Sequence, residues 1–288
     1  METLRTLDGQ TLKLRLWPAT GFLDGTAQGT VQIVHGLGEH SGRYAHVAAA
    51  LNAAGWHVAA HDLRGHGEST GKRGRLADGH AFMADVALVR DHLLQRWPGG
   101  ARLLLGHSMG GLIAGRFVAE GLAKAPAPWY RPFDALVMSS PALDPGMNGF
   151  QEFLLAVLGP IAPNVGVGNG LKPEWICRDP AVVKAYVDDP LVHDRVSPRM
   201  VRFIVDGGQQ VISRAPQWTL PTLLMWAGAD RCVAPAGSAR FAAAAPQSAV
   251  TAHEYPGLAH EIFNEPEKAE VLKRLTDWLQ RLPTKERP

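Results

Sequence analysis

The stretch Leu103-Leu104-Leu105-Gly106-His107-Ser108-Met109-Gly110-Gly111 joins an apolar run to a G-x-S-x-G pattern. The run Ala101–Leu105 predicts a buried strand, and Leu112–Glu120 predicts the helix that follows it. Glycines on both sides of the serine permit a sharp, strained turn, which exposes the hydroxyl beside the N–H groups of the helix amino terminus. A strand, a tight turn and a helix in this order form a nucleophile elbow, so Ser108 is the candidate nucleophile.

A second copy of the pattern, Gly67-Glu68-Ser69-Thr70-Gly71, lies in a different context. It follows the turn-rich run Asp62-Leu63-Arg64-Gly65-His66 and leads into Gly-Lys-Arg-Gly, which cannot start a helix. An elbow needs a strand before the serine and a helix after it. We therefore interpret Ser69 as a loop serine.

Outward from the elbow, short apolar strands alternate with amphipathic helices. Asp8-Gly9 lies between two alternating runs, Leu4–Leu7 and Leu12–Leu16, and predicts a hairpin. The other predicted elements are, in order, strand Val31–Val34, helix Ser41–Asn52, strand Trp56–Ala60, helix Phe82–Leu93, strand Leu103–Leu105, helix Leu112–Glu120, strand Ala135–Ser139, strand Thr222–Ala227, helix Ala236–Ala245, strand Val250–Tyr255 and a helix from Pro266. This alternation indicates an α/β protein with a mostly parallel central sheet flanked by helices.

The stretch from Asp144 to Gln217 interrupts this alternation. It is rich in Pro and Gly and predicts short helices rather than strands. Because it is inserted between two strands, it leaves the sheet at the carboxyl edge, where ligands bind in open α/β folds. We expect a core of residues 1–143 and 218–288 and an inserted helical cap, or lid, of residues 144–217.

The base that activates Ser108 is found by elimination. In folds with this elbow the chain order is nucleophile, acid, histidine, and the histidine takes the serine proton. Among the histidines after Ser108, His193 belongs to the insertion and His253 alternates within a predicted strand. His260 lies in the loop between that strand and the last helix. A loop at the carboxyl end of a strand presents an imidazole to the site, so we expect His260 to be the base.

Asp230 is the candidate for the acid that orients His260. It directly follows a predicted strand, whereas Asp134 precedes its strand and Glu254 lies within one. On its own, Asp230 fits a loop aspartate that closes a turn or pairs with Arg231 equally well. A nucleophile and a base in the right chain order favour the orienting role.

The loop Val34-His35-Gly36-Leu37-Gly38 predicts the second half of an oxyanion hole. Such a hole takes one N–H from the residue after the nucleophile and one from the loop after an earlier strand. Glycines in that loop let the backbone approach a carbonyl group closely. We expect the backbone N–H groups of Leu37 and Met109 to be the donors.

The composition narrows the classes of partner and location. A net charge of +2, with no basic run interleaved with aromatic residues, argues against nucleic acid as a partner. Cys177 and Cys232 make no disulfide framework, and neither has metal-ligand spacing, so we expect no metal. No apolar stretch has the length of a membrane span, and Met1–Trp17 lacks the apolar core of a signal peptide. These features predict a cytoplasmic protein, and none indicates an obligate protein partner.

Four segments resemble the monoacylglycerol lipases and their bacterial lysophospholipase-like relatives, a family of serine esterases with the α/β-hydrolase fold. They are the oxyanion loop His35–Tyr44, the loop Asp62–Ser69, the elbow Gly106–Gly111 and the acid loop Gly228–Arg231. Many hydrolases share the elbow, whereas the long oxyanion-loop match is much more specific. The resemblance implies hydrolysis of glycerol esters with one fatty-acyl chain, without a cofactor. It also implies that the insertion is a lid that forms an acyl tunnel.

Other functions stay open on the residues alone. Among enzymes, the alternative is a broad carboxylesterase or a lysophospholipase. An amidase or peptidase fits less well, and a dehalogenase would have aspartate in place of Ser108. A non-catalytic binding protein on the same scaffold usually lacks one member of the triad, whereas all three positions are filled here.

One segment of the insertion, Phe150–Leu158, predicts an apolar helix that stops at Gly159-Pro160. Its apolar face consists of Phe150, Phe153, Leu154, Val157 and Leu158. The favoured interpretation is a helix that packs on the core or lines the tunnel, with Phe150, Leu154 and Leu158 against the substrate. The alternative is a helix that contacts a membrane or micelle so that lipid enters the site.

Overall fold

A computed structural model describes residues 1–20 and 27–282, without the side chains of Phe150, Glu152, Leu154 and Leu158. The strands are β1 (Glu2–Arg5), β2 (Thr11–Trp17), β3 (Gly29–Val34), β4 (Trp56–His61), β5 (Ala101–His107), β6 (Ala135–Ser139), β7 (Val167–Gly168), β8 (Arg195–Val196), β9 (Thr222–Ala227) and β10 (Val250–Tyr255). The α-helices are α1 (Ala45–Ala53), α2 (Ala81–Arg96), α3 (Met109–Glu120), α4 (Gly149–Ile161), α5 (Pro180–Asp188), α6 (Pro198–Arg214), α7 (Pro235–Ala244) and α8 (Lys268–Leu279).

The large sheet has eight strands in the order β1-β2-β4-β3-β5-β6-β9-β10. β1 pairs with β2, and β2 with β4, in antiparallel register, and every later pairing is parallel. The predicted leading hairpin and the predicted mostly parallel sheet are therefore both confirmed. Gly9 in the hairpin turn has a φ of 81°, a conformation that glycine adopts without steric cost.

Helices cover both faces of the sheet. One apolar cluster joins α2, α3, α6 and α7 to the sheet and contains Phe82, Leu112 and Phe241. A second cluster joins α1 and α8 to the opposite face and contains Leu51 and Leu275. Strands β3 and β9 are buried along their whole length, which explains why they are near-continuous apolar runs in the sequence.

Some helix boundaries differ from the prediction. The first helix begins as a 3-10 turn, Ser41–Tyr44, before the α-helix proper. The elbow helix starts at Met109, three residues before the predicted Leu112, because glycine-rich residues hide the apolar periodicity of its first turn. The last helix begins at Lys268 rather than Pro266.

The insertion between β6 and β9 contains α4, α5, α6 and a small antiparallel sheet of β7 and β8. The expectation of short helices without strands is wrong on two points. Helix α6 has 17 residues and packs against α3 through Phe203 and Val211. Strands β7 and β8 have two residues each, too short to show any alternation in the sequence. Within the described residues, no helix has both the length and the apolar character to cross a membrane.

Helix α4 differs from its prediction in its end and in its environment. It continues through Gly159-Pro160 to Ile161. Pro160 is the second-last residue of the helix, so its missing N–H weakens the last turn only. Phe153 and Val157 are 61% and 44% exposed, so the favoured interpretation, packing on the core or lining a tunnel, is wrong for these two. The side chains of Phe150, Leu154 and Leu158 lie outside the described part of the structure.

Candidate active site

Four loops that hold the predicted site residues emerge at one edge of the sheet. Leu37 follows β3, and Ser108 follows β5. Asp230 follows β9, and His260 lies beyond the end of β10. These strands are parallel, so their carboxyl ends lie at the same edge, where α/β folds bind ligands.

The turn at Ser108 has the strained geometry of an elbow. Ser108 has a φ of 55° and a ψ of −123°, in a region that residues other than glycine rarely adopt. A Cβ atom on Gly106 would lie 2.2 Å from the Gly110 carbonyl oxygen. A Cβ atom on Gly110 would lie 2.1 Å from the Val34 carbonyl oxygen. The two glycines are thus required because backbone passes where a side chain would be, and the turn holds Ser108 at the start of α3.

Asp230 and His260 form a buried hydrogen-bonded pair. The Nδ1–H of His260 donates to Oδ2 of Asp230 over 2.6 Å, and their side chains are 7% and 1% exposed, respectively. The other carboxylate oxygen accepts from the backbone N–H groups of Cys232 and Val233, which fixes its orientation. Burial lowers the pKa of His260, but the Asp230 carboxylate, together with the nearby Glu261 and Glu39, outweighs burial, so that the pKa lies above its ordinary value. The pair therefore stabilises a protonated imidazole, as a general base requires.

Ser108 and His260 line the same cavity, which has a volume of about 340 Å³. Within the described part of the chain, the Ser108 hydroxyl forms no hydrogen bond with the His260 ring. Catalytic hydrogen bonds are commonly long without a ligand and shorten when substrate binds. The cavity wall also includes Leu37, so the candidate nucleophile, the candidate base and the predicted oxyanion loop face one space.

The predicted oxyanion loop lies against the candidate nucleophile. A Cβ atom on Gly36 would lie 3.1 Å from the Cβ atom of Ser108. The Gly36 N–H already donates to Oε1 of Glu39 over 2.6 Å, so it is occupied. The backbone N–H groups of Leu37 and Met109 donate to no other described residue. Two unpaired donors beside the serine are what an oxyanion hole needs.

A buried ionic network beneath the site was missed by the sequence analysis. Oε1 of Glu39 accepts from the Tyr44 hydroxyl over 2.7 Å, and Oε2 accepts from Arg43 over 2.8 Å. Arg43 also donates two hydrogen bonds to Glu261, over 2.6 and 2.7 Å. Because Glu261 follows His260, the network ties the oxyanion loop to the histidine loop. The only signal in the sequence is the four-residue spacing of Glu39 and Arg43, which is common on exposed helices.

The charges in this network depend on one another. Burial raises the pKa of Glu39, but the Arg43 guanidinium, together with the neighbouring His107 and His35 and the Tyr44 hydrogen bond, more than offsets burial and lowers the pKa to about 2. Glu39 is therefore ionised at neutral pH although it is only 3% exposed. A buried carboxylate of this kind is stable only while its cation stays in place.

A second imidazole, that of His107, packs beside the candidate base His260. Its ring centroid lies 4.8 Å from that of His260, and its Nδ1 forms a hydrogen bond of 3.1 Å with the Ser139 hydroxyl. Burial, and then the neighbouring His260, lowers the pKa of His107 to about 4. His107 is thus neutral at physiological pH and adds no positive charge that would compete with protonation of His260.

The insertion contacts the oxyanion loop directly. The backbone N–H of His193 donates to the Gly38 carbonyl over 2.8 Å. The His40 ring donates to Asp189 over 2.8 Å, which joins the same loop to the end of α5. Sequence reasoning set His193 aside because it belongs to the insertion, but the structure places it on the wall of the cavity that contains Ser108. Nothing local in the sequence indicates this, because the contact depends on how the insertion folds back.

Ser69 and His253, the serine and the histidine that the sequence analysis set aside, make structural contacts away from the cavity. Ser69 lies in a turn, where its hydroxyl donates to the Asp62 carbonyl over 2.6 Å and accepts from the Lys13 N–H. His253 lies on β10 at the edge of the sheet, with its ring against Tyr255 at 4.4 Å. Neither residue is on the wall of the cavity.

Comparisons with known proteins agree with this arrangement. Residues 25–267 match the family described as serine aminopeptidase, S33. The monoacylglycerol lipase of Mycolicibacterium smegmatis is 39% identical over 260 residues, which are 89% of each chain. Phospholipase YtpA of Bacillus subtilis is 30% identical over 84% of this chain and 92% of its own. The crystal structure of Paleococcus ferrophilus monoacylglycerol lipase superposes with a TM-score of 0.78 at 35% identity, over 93% of this chain and 98% of that one.

The fold and the relatives lead to one assignment. The eight-stranded, mostly parallel sheet flanked by helices is the α/β-hydrolase fold, as its likeness to a solved member shows. The family match covers most of the chain, and the resemblance to monoacylglycerol lipases is confirmed by relatives that align over most of their length. This chain belongs to the serine aminopeptidase S33 family of α/β-hydrolases and is a relative of the monoacylglycerol lipases.

Proposed function

We propose that this protein is a serine hydrolase that cleaves monoacylglycerols into a fatty acid and glycerol, with Ser108, His260 and Asp230 as its catalytic triad. The observation that supports this most strongly is the buried Asp230–His260 pair beside a strained Ser108 on one cavity wall. The monoacylglycerol lipases among its relatives support the substrate. A non-catalytic binding protein would have no use for an oriented acid–base pair.

The reaction proceeds through an acyl-enzyme. His260 takes the Ser108 proton as the hydroxyl oxygen attacks the ester carbonyl, and the N–H groups of Leu37 and Met109 hold the resulting oxyanion. The glycerol oxygen leaves with the proton from His260. Water then attacks the acyl group by the same route and releases the fatty acid. Asp230 keeps His260 in the required tautomer throughout.

The lining of the cavity supports a substrate with one acyl chain. Leu37, Leu171, Ile176, Val187 and Val192 form an apolar part of the wall. Charged side chains on the same wall, among them Lys172, Asp189 and Asp194, offer polar contacts to an alcohol. An apolar part for the chain and a polar part for the head group fit a monoester.

We place the cap at residues 144–217 over this cavity and propose that one face of α4 contacts a lipid surface. Phe153, Val157 and Ile161 are four residues apart along the helix, and Ile161 is 77% exposed. A contiguous apolar face of this kind marks an interaction surface. Arg202 of α6 lies at its border, with Nη2 3.9 Å from where a Cβ atom on Gly159 would be, and offers a charge to anionic head groups.

A cytoplasmic location is part of this proposal. It is supported by Cys177 and Cys232, which are free thiols in the structure. Buried free thiols are typical of reducing compartments. From the cytoplasm, the α4 face contacts the surface of the inner leaflet of a membrane and does not enter the hydrocarbon interior.

A substrate profile tests the hydrolase proposal. Rates are compared for mono-, di- and triacylglycerols, lysophospholipids and short nitrophenyl esters, and we expect the monoacylglycerols to be hydrolysed fastest. The phospholipase relative makes lysophospholipid the second candidate, and a faster rate there would replace monoacylglycerol as the substrate. Ser108→Ala is expected to abolish both turnover and labelling by a fluorophosphonate probe. Ser69→Ala, at the second G-x-S-x-G copy, is the matched control that keeps the label.

Vesicle experiments test the lipid-surface proposal. We expect the triple variant Phe153→Ser, Val157→Ser, Ile161→Ser to sediment less with anionic vesicles and to hydrolyse vesicle-bound monoacylglycerol more slowly. Its rate on a water-soluble nitrophenyl ester stays at the parent level, because Phe153, Val157 and Ile161 are not on the wall of the cavity that contains Ser108. Leu94→Ser, an exposed leucine on α2, is the control. Equal vesicle binding by parent and triple variant would refute the role of this face.

A further inference from the structure

Cys232 lies beside the acid–base pair, although the proposed mechanism gives it no role. It is two residues after Asp230 and only 7% exposed. Its Sγ, one carboxylate oxygen of Asp230 and one ring nitrogen of His260 all lie within 4.8 Å of one another. Cys232 also lines the cavity that contains Ser108, so a small ion in the cavity reaches the thiol.

We propose that these three side chains form an inhibitory site for a borderline-soft divalent cation, Zn²⁺ or Cd²⁺. A cysteine sulfur, an imidazole nitrogen and a carboxylate oxygen are the ligands that zinc prefers in proteins. Tetrahedral zinc places its ligand atoms about 3.5 Å apart. The thiol therefore needs to move towards the other two ligands by at most about 1 Å, and the 2.6 Å hydrogen bond between His260 and Asp230 opens to admit the ion. Three protein ligands leave a fourth position for water from the cavity.

The charges around Cys232 favour a cation. Asp230 and Glu261 face the thiol, and after burial they are the main causes that raise its pKa. Glu39 adds a further negative charge near His260. Among the described side chains, two cations lie near these carboxylates: Arg43, which is already bonded to Glu39 and Glu261, and Arg231, which lowers the pKa of the Cys232 thiol and stacks on the Trp175 ring. The three carboxylates outnumber the two guanidinium groups, so a divalent ion would meet net negative charge. The thiol proton would leave to solvent as the metal–sulfur bond forms, and an ion that takes Nδ1 of His260 would displace the Nδ1 proton to Nε2.

Inhibition follows from which groups the ion would occupy. The imidazole of His260 is the base that Ser108 needs, and Asp230 is the group that orients it. An ion bound to both would prevent proton transfer from Ser108. This consequence rests on the proposed hydrolase function, whereas binding of the ion does not.

The chain provides a matched control in its second cysteine. Cys177 is also buried and free, but its thiol donates to the Asn264 carbonyl over 3.3 Å. It is neither on the cavity wall nor among the three ligands. The sequence does not indicate this site, because His260 is far from Cys232 along the chain and only the fold brings them together.

Inhibition by Zn²⁺ is the first test. Hydrolysis of a short nitrophenyl ester is followed with increasing Zn²⁺, and each variant is normalised to its own metal-free rate. We expect Zn²⁺ to inhibit the parent and Cys177→Ser, with full recovery after EDTA. The inhibition constant of Cys232→Ser should be weaker by about tenfold or more, since loss of groups that support a metal site costs 10–100-fold in affinity. Equal inhibition of Cys232→Ser and the parent would overturn the proposal.

Cadmium binding is the second test, and its readout does not depend on ester hydrolysis. A cadmium–thiolate bond absorbs in the ultraviolet, so Cd²⁺ titration of the parent and of Cys177→Ser should produce one such band. The band should be absent from Cys232→Ser, whose fold is checked by circular dichroism, and His260→Ala should weaken Cd²⁺ binding. A band in the parent without ester hydrolysis would leave the site in place and refute the hydrolase function. No band in the parent, or a band lost only with Cys177, would refute the site.

Discussion

Oδ2 of Asp230 accepts a hydrogen bond from Nδ1 of His260 over 2.6 Å, with both side chains almost fully buried. The two residues lie on loops after different strands, 30 positions apart. The carboxylate is held by two backbone N–H groups of its own loop, so the imidazole adapts to the acid rather than the reverse. The orientation of the proposed base is therefore set by the loop after β9.

Replacing Asp230 by Asn tests this relationship directly. The amide has nearly the shape of the carboxylate but is neutral, so it favours the wrong tautomer and no longer stabilises protonated His260. We expect kcat to fall by about 10⁴-fold with the fold intact. The measurement is steady-state hydrolysis of a nitrophenyl ester together with thermal unfolding. A loss of only a few-fold would show that Asp230 does not orient the base.

The acidic limb of the pH–rate profile should report His260. Only neutral His260 accepts the Ser108 proton, and the Asp230 carboxylate raises its pKa above the ordinary value. Activity is therefore present above this raised pKa and is lost as the pH falls through it, with the slope of one proton. In Asp230→Asn the carboxylate no longer raises the pKa, so the residual activity should persist to lower pH. A limb that stays in place or moves to higher pH in that variant would contradict this account.

Arg43→Met should destabilise the folded protein. The substitution leaves the buried carboxylates Glu39 and Glu261 without their cation, a loss that typically costs about 3–5 kcal/mol. Urea unfolding measures the free energy of unfolding. Lys273→Met, which removes an exposed ion pair with Asp277, is the control and should change it by less than about 0.5 kcal/mol.

The same variant should alter the response to acid. In the parent the pKa of Glu39 is about 2, below its ordinary value, so its stabilising effect is complete above the ordinary pKa and is lost as the pH falls towards 2. Without Arg43, burial raises the pKa of Glu39. Acid unfolding of Arg43→Met is therefore expected at higher pH than in the parent. Identical acid transitions would indicate that Glu39 is not ionised in the folded state.

Gly110→Ala should damage the oxyanion hole. The added Cβ atom would lie 2.1 Å from the Val34 carbonyl oxygen and 2.4 Å from that of His35, so the loop that contains Leu37 must move. Misplacing one oxyanion donor costs about 10²–10³-fold in kcat. Gly99→Ala, where no atom lies within 4 Å of the new Cβ, is the control and should retain parent activity. Comparable kcat values for the two variants would disprove the close contact at Gly110.

The elbow and the alternation of strands and helices along the chain could be predicted because their causes are local. Gly106 and Gly110 are needed by atoms within or next to the turn, and the apolar runs before and after it are short and contiguous. The catalytic roles of Ser108, Asp230 and His260, and the donor roles of Leu37 and Met109, stay predictions until the variants are measured. The structure adds that the loops which contain them emerge at one edge of the sheet.

The long-range contacts could not be predicted. Arg43 and Glu261 are 218 positions apart, and charged side chains in a sequence give no sign that they pair beneath a site. The wall position of His193 depends on how the insertion folds back onto the oxyanion loop. The apolar pattern of α4 predicts a helix with an apolar face, but not that Phe153 and Val157 are exposed.

The sequence alone determined the α/β architecture, the elbow and the chain order of the three proposed catalytic residues. Steric limits on a turn and the periodicity of a strand or helix act over a few neighbouring residues, and are therefore visible in the chain. Tertiary structure alone decided the partners of Glu39, Arg43 and Cys232 and the exposure of the α4 face. These depend on which distant surfaces pack together, because burial and charge pairing are properties of the assembled surfaces and not of any segment.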